Sequence, residues 1–172
     1  MIFVKMKILQ FLLRLFLTVI PFTAPAQFKS AMVGVNGLTC SACSKTVELA
    51  IRKLAFVQDV DMNLEQTEGK IVFRENSEVD LEKVANAVKD AGFSVRYLNA
   101  LYHFQSGVPD GNCVVDGNKV FQFSDKTKVK DTGEVNLLLL GAPFQPRKEY
   151  LSMKSSIVPL CAVAEKKLYF VK

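Results

Sequence analysis

The sequence predicts an α+β fold, with a β-α-β-β-α-β unit at residues 27–99 followed by a small, mostly-β region at residues 100–172. Two observations carry the first part. Apolar residues alternate in short runs, and in two longer runs they recur every three or four positions. A third observation carries the second part. Beyond Leu98, runs rich in β-formers are separated by turn signals of the Asp-Gly and Thr-Gly kind.

The first strand lies within Ser30–Asn36, where Ala31, Val33 and Val35 alternate with Ser30, Met32 and Gly34. Gly37 to Cys40 is a loop. In Ser41–Leu54 the residues Val47, Ala50, Ile51 and Leu54 share one helical face, with Lys45, Glu48, Arg52 and Lys53 elsewhere. Val57, Val60 and Met62 mark a second strand, Glu65–Gly69 a turn, and Lys70–Arg74 a third strand carrying Ile71 and Phe73. Asp80 can accept a first-turn N–H and so caps a second helix. The apolar face of that helix is Leu81, Val84, Ala85 and Val88, and Gly92 stops it. Phe93–Leu98 is the fourth strand. This order is the ferredoxin-like, split-βαβ arrangement, with two helices on one face of a four-stranded antiparallel sheet. Downstream, Ala100–Gln105, Lys119–Phe123, Val135–Leu140, Glu149–Met153, Ile157–Ala164 and Lys167–Val171 are candidate strands. Asp110-Gly111, Asp116-Gly117-Asn118 and Thr132-Gly133 are candidate turns. Together they suggest a separate barrel or compact sandwich.

Residues 1–26 have a different character. Lys5 and Lys7 precede Ile8–Ile20, which is mostly Leu, Phe, Ile and Val, and Ala24-Pro25-Ala26 offers small residues where a signal peptidase reads. This is the pattern of a secretory signal peptide cleaved after Ala26, and it predicts a periplasmic or secreted protein. The alternative is an N-terminal membrane anchor, with membrane contact through that segment alone. The apolar run of about 13 residues is short of the roughly 20 a spanning helix needs. Gln10 and Arg14 interrupt it, and Pro21 ends it. Met6-Lys7 offers a second start of more ordinary signal form.

The formal net charge is +5, from 22 Lys and Arg against 17 Asp and Glu. Lys5, Lys7 and Arg14 lie in the first 26 positions, which hold no acid, so the remainder is nearly balanced. Nucleic-acid binders cluster their basic residues. Here Lys126, Lys128 and Lys130 alternate with other residues, as on one solvated face of a strand, and no nucleic-acid partner is expected. There is no nucleophile elbow, P-loop or zinc-protease helix, so no enzyme is expected either.

The chemistry sits in Gly37-Leu38-Thr39-Cys40-Ser41-Ala42-Cys43. Cys40 and Cys43 straddle a loop and a helix start, so both sulfurs can turn to one point. Free N–H groups at a helix N-terminus favour the thiolate. Thiolates suit soft ions. Cu(I) and Hg(II) accept two sulfurs alone, whereas Zn(II) wants about four ligands and would need others from elsewhere. Cd(II) is also thiophilic. In an exported protein the pair could instead be a structural disulfide, or a redox-active one.

In this context the segment Ser30–Leu98 resembles the heavy-metal-associated domain family, whose loop reads G-M-T-C-x-x-C. Gly37, Thr39, Cys40 and Cys43 match that loop. Asp59-Val60-Asp61-Met62-Asn63-Leu64 looks like the family's second strand, and Ala91-Gly92-Phe93 like the end of its second helix. The resemblance implies an exposed two-cysteine metal site at Cys40 and Cys43, most often for Cu(I), with a mercury-binding periplasmic branch. It also implies a metallochaperone or metal-transfer role, with a metal-transporting ATPase or other thiol-rich acceptor as partner. It places an aromatic beside the loop at Phe93. Leu38 stands where the family has Met; that side chain usually supports the loop from within, and Leu should pack alike. The rival functions are a mercury or cadmium scavenger with the same ligands, and a thiol–disulfide redox protein.

Cys113 and Cys161, 48 positions apart, suggest a disulfide in an exported protein. The alternatives are free buried thiols, or a second metal site helped by His103 and Met153. Met32 and Met62 read as packing or surface residues. Tyr102, Phe104, Phe121 and Phe123 read as core.

Overall fold

A computed structural model describes residues 27–105, 107–125, 128–161 and 166–172. The expected signal segment, Lys126 and the end of the expected strand at 157–164 lie outside these residues. Among the described residues no helix is long and apolar enough to cross a membrane.

The first unit forms as its periodicities require. It comprises β1 (Gln27–Asn36), α1 (Ser41–Arg52), β2 (Val57–Asn63), β3 (Glu68–Phe73), α2 (Leu81–Asp90) and β4 (Ser94–Phe104). The strands pair antiparallel in the order β2-β3-β1-β4. Ala31, Val33 and Val35 turn to the buried face, where Val47 and Ile51 of α1 and Leu81, Val84 and Val88 of α2 cover them. Asp80 caps α2 by accepting the Glu82 N–H at 3.0 Å.

The fourth strand does not stop at Leu98. Val95, Leu98, Ala100, Tyr102 and Phe104 are all buried, so β4 stays extended to Phe104. The boundary expected between residues 99 and 100 therefore falls inside a strand. The remaining strands are β5 (Val108–Asp110), β6 (Cys113–Asp116), β7 (Lys119–Phe123), β8 (Gly133–Leu140) and β9 (Lys167–Val171). They extend the same sheet, whose full order is β2-β3-β1-β4-β8-β9-β7-β6-β5. The extension continues the first sheet in its hydrogen bonding, where a separate barrel or sandwich was expected. Its hairpin at Gly117-Asn118 uses the turn residues foreseen, with Gly117 at φ +59°.

An aromatic cluster joins the halves. Phe28 pairs across the sheet with Tyr102, on the face that also carries Ala31 and Ala100. Ring centroids lie 4.8 Å apart for Phe28 and Tyr102, 4.6 Å for Tyr102 and Phe121, and 5.6 Å for Phe28 and Tyr169. Strands β7 and β9 thus close over the far part of the face that the helices cover. Lys167 at the start of β9 reaches Asp80 at the start of α2, with Nζ 2.7 Å from Oδ1.

Three local expectations are corrected; in the run expected as a strand at 157–164, the described residues 157–161 form no strand. The run expected as a strand at 149–153 is a short helix, α3 (Arg147–Met153), continued by a 3₁₀ turn at Lys154–Ser156. Pro146 at its N-cap, with φ −57°, suits a helix start, and no α3 residue is buried, so no apolar stripe betrayed the helix. Lys128 and Lys130 also lie outside any strand; Lys128 donates its N–H to the Asp125 carbonyl at 3.2 Å, closing a turn.

Candidate metal centre

The loop between β1 and α1 is held from below and from the side. Gly37 leaves β1 at φ +88°, a left-handed conformation that glycine adopts without strain. A Cβ there would lie 3.6 Å from Cδ1 of Phe93, so the aromatic sits against the loop as the family resemblance implied. Leu38 is buried at 4% exposure and plugs the loop into the core, filling the role usual for the family's Met.

Cys40 is the N-cap of α1. Its backbone is extended, at φ −147° and ψ 157°, and its Sγ accepts the backbone N–H of Cys43 at 3.1 Å. Its carbonyl accepts the N–H of Ser44, also at 3.1 Å. Cys40 is exposed and Cys43 half-buried, with Cα atoms 5.2 Å apart. The two sulfurs are bonded to each other, so the structure holds the pair in its oxidised form. Reduction by two electrons and two protons would return two thiols on the same turn of chain. The first turn of α1 has no acidic residue, so no carboxylate there opposes thiolate formation.

Farther along α1, the sequence did not reveal a chain of ion pairs. Glu48 takes Lys45 at 3.0 Å and Arg52 at 2.7 Å, and Arg52 reaches on to Asp59 of β2 at 2.7 Å. Hydrogen bonding from Arg52, then Lys45, holds the Glu48 carboxyl below its usual range. The i, i+3 and i, i+4 spacings were the available signal. These pairs tie the C-terminal end of α1 to β2 and leave the cysteine end free.

Cys113 and Cys161 form a disulfide, with Cα atoms 5.9 Å apart. It pins the segment before β9 onto β6, helped by Gln122, whose amide donates to the Val158 carbonyl at 2.8 Å and accepts from the Leu160 N–H at 2.9 Å. Those two cysteines are therefore not thiolates available to His103 or Met153. Nδ1 of His103 is buried without a hydrogen-bond partner. Among the described residues no group of three or more His, Cys, Asp or Glu is placed to hold a metal ion. Tyr102, Phe104, Phe121 and Phe123 are core, as expected.

Fold and loop together define a ferredoxin-like module presenting two cysteines at an exposed helix start. The model of the heavy-metal-associated domain matches residues 33–94, and the chain belongs to that family. One relative is the mercuric transport protein periplasmic component of Pseudomonas fluorescens, 36% identical over 68 residues, which are 40% of this chain and 74% of that protein. Another is copper-transporting ATPase 1 of Rhizobium meliloti, 39% identical over 67 residues; the match covers 39% of this chain and only 8% of the ATPase. Among solved structures, oxidized MerP from Ralstonia metallidurans CH34 is 32% identical, with 40% of this chain and 94% of that chain covered, at a TM-score of 0.37.

Proposed function

We propose that the chain is an exported soft-metal carrier whose Cys40 and Cys43 thiolates take Cu(I) and pass it to a thiol-bearing acceptor, such as the metal-binding domain of a metal-transporting ATPase. The observation that carries this reading is the exposure of Cys40 at a helix N-cap, with Cys43 one turn on and 5.2 Å away between Cα atoms. Two sulfurs satisfy a nearly linear Cu(I). A low coordination number leaves room for an incoming thiolate, so transfer runs through a three-sulfur intermediate without releasing the ion. The same loop would serve Hg(II), and the 74% coverage of a mercuric transport protein favours that as the second reading. The bonded sulfurs favour a third, thiol–disulfide exchange. Competition titrations of the reduced chain with Cu(I) and Hg(II), beside an insulin-reduction assay, separate the three. Strong reductase activity lost in Cys40→Ser would overturn the carrier reading.

A further inference from the structure

A groove of about 550 Å³ opens between the start of β4 and the segment around α3. One wall comes from the family module: Lys89 at the end of α2, and Ser94 and Val95 at the start of β4. The other comes from the extension: Pro143, Arg147, Tyr150 and Leu151 among them. Ser94 pairs with Asn36, the residue before Gly37, and accepts the Asn36 side-chain amide at 3.5 Å. Ser94 also follows Phe93 in the chain, the residue that lies against the loop at Gly37. Its far wall falls outside residues 33–94, so it is not part of the matched module.

The lining has a definite chemistry. Its apolar residues include Leu151, which is 56% exposed although large and aliphatic. Its only charged residues are Lys89 and Arg147. Neither makes an ion pair among the described residues, and neither Asp90 nor Glu149, their acidic near-neighbours in sequence, lines the groove. An apolar trough flanked by two cations without ion pairs among the described residues, and reaching Ser94 beside Asn36 at the start of the cysteine loop, matches a segment that is apolar in the middle and acidic at its edges.

We propose that this groove seats an acidic, apolar segment of the protein that exchanges metal with Cys40 and Cys43. The proposal rests on the metal-carrier reading for the partner's identity, and on the groove alone for its chemistry. Docking there would hold the partner's thiols beside the loop, so the extension would select the partner while the loop selects the ion.

The test uses the full chain after the signal segment and three labelled synthetic peptides: Glu/Leu/Phe-rich, the same with Gly for Leu and Phe, and the same with Lys for Glu. Binding is read by fluorescence anisotropy on the metal-free chain. The acidic apolar peptide should bind at least about tenfold more tightly than either control. Its amide shift changes should centre on Ser94, Val95 and Arg147–Leu151. Lys89→Glu with Arg147→Glu should remove that preference, and Leu151→Ser should weaken binding, while Cu(I) affinity from chelator competition stays unchanged in both. Equal binding of all three peptides, shifts mapping elsewhere, or binding only to anionic phospholipid vesicles would overturn the groove proposal. Failure of the wild-type chain to hold Cu(I) or Hg(II) would overturn the carrier reading instead, and the peptide result would still decide the groove.

Discussion

The backbone N–H of Cys43 points at the sulfur of Cys40, 3.1 Å away, so one cysteine caps the helix that begins beneath it and the other supplies the capping donor. The ligand pair is thereby built into the helix start. A donor aimed at sulfur favours the thiolate over the thiol, as a carboxylate is favoured at the same place.

This predicts that cap and ligand roles separate on substitution. Ser is among the preferred N-cap residues, and its loss to Ala costs about 1 kcal/mol. Under reducing conditions Cys40→Ser should match or exceed the wild type in urea unfolding, and Cys40→Ala should fall below Cys40→Ser by about that amount. Both should lose metal affinity.

The Cys113–Cys161 bond should stabilise the extension. Replacing both residues by Ala should cost about 2–4 kcal/mol in chemical unfolding. Amide exchange should rise first around Gln122 and residues 157–161, which the bond and the Gln122 amide hold together. Cu(I) affinity at Cys40 and Cys43 should be unchanged.

The junction between α2 and β9 sets one acid-side dependence. Burial pushes the Asp80 carboxyl upward, but the Lys167 ammonium and the N–H groups of Glu82 and Lys83 outweigh it and hold it below its ordinary value. A carboxylate depressed in the folded state contributes stability above its unfolded pKa of about 3.9 and loses it as pH falls through the folded value. Asp80→Asn should therefore lower stability at neutral pH and flatten the decline below about pH 4 in denaturant titrations run at several pH values.

Asp116 has the opposite sign. Burial raises its carboxyl above the usual range, against the backbone N–H of Gln105 and the Lys119 charge. Its Oδ2 and the hydroxyls of Tyr102 and Tyr169 are buried without hydrogen-bond partners. The folded state holds this proton more tightly than the unfolded chain, so ionisation at neutral pH costs stability. Asp116→Asn should raise the unfolding midpoint at pH 7, with a gain that shrinks as pH falls through the raised folded-state value and is gone below about pH 4. An unchanged midpoint at pH 7 would contradict that account.

Much of the module is legible in the chain because its local signals agree. The alternation of Ala31, Val33 and Val35, the spacing of Val47 and Ile51, and the Asp80 cap each point to the same architecture. The cysteine loop was legible for the same reason, since its neighbours assign it a place between a strand and a helix. The extension was less so. The helix Arg147–Met153 buries nothing and therefore carries no period. The run from Val95 to Phe104 is one strand because Tyr102 and Phe104 in its later half pack against Phe121, a residue far along the chain that no local pattern connects to it. The groove is hidden for a similar reason, since Ser94 and Val95 meet Pro143, Arg147, Tyr150 and Leu151 from far along the chain.

The most direct measurement is metal analysis of the chain from Gln27 onward, purified without oxygen and exposed to Cu(I), with the wild type beside Cys40→Ser/Cys43→Ser. The account predicts one soft metal ion per wild-type chain and none in the double variant. Equal metal in both, or none in the reduced wild type with either Cu(I) or Hg(II), would contradict it.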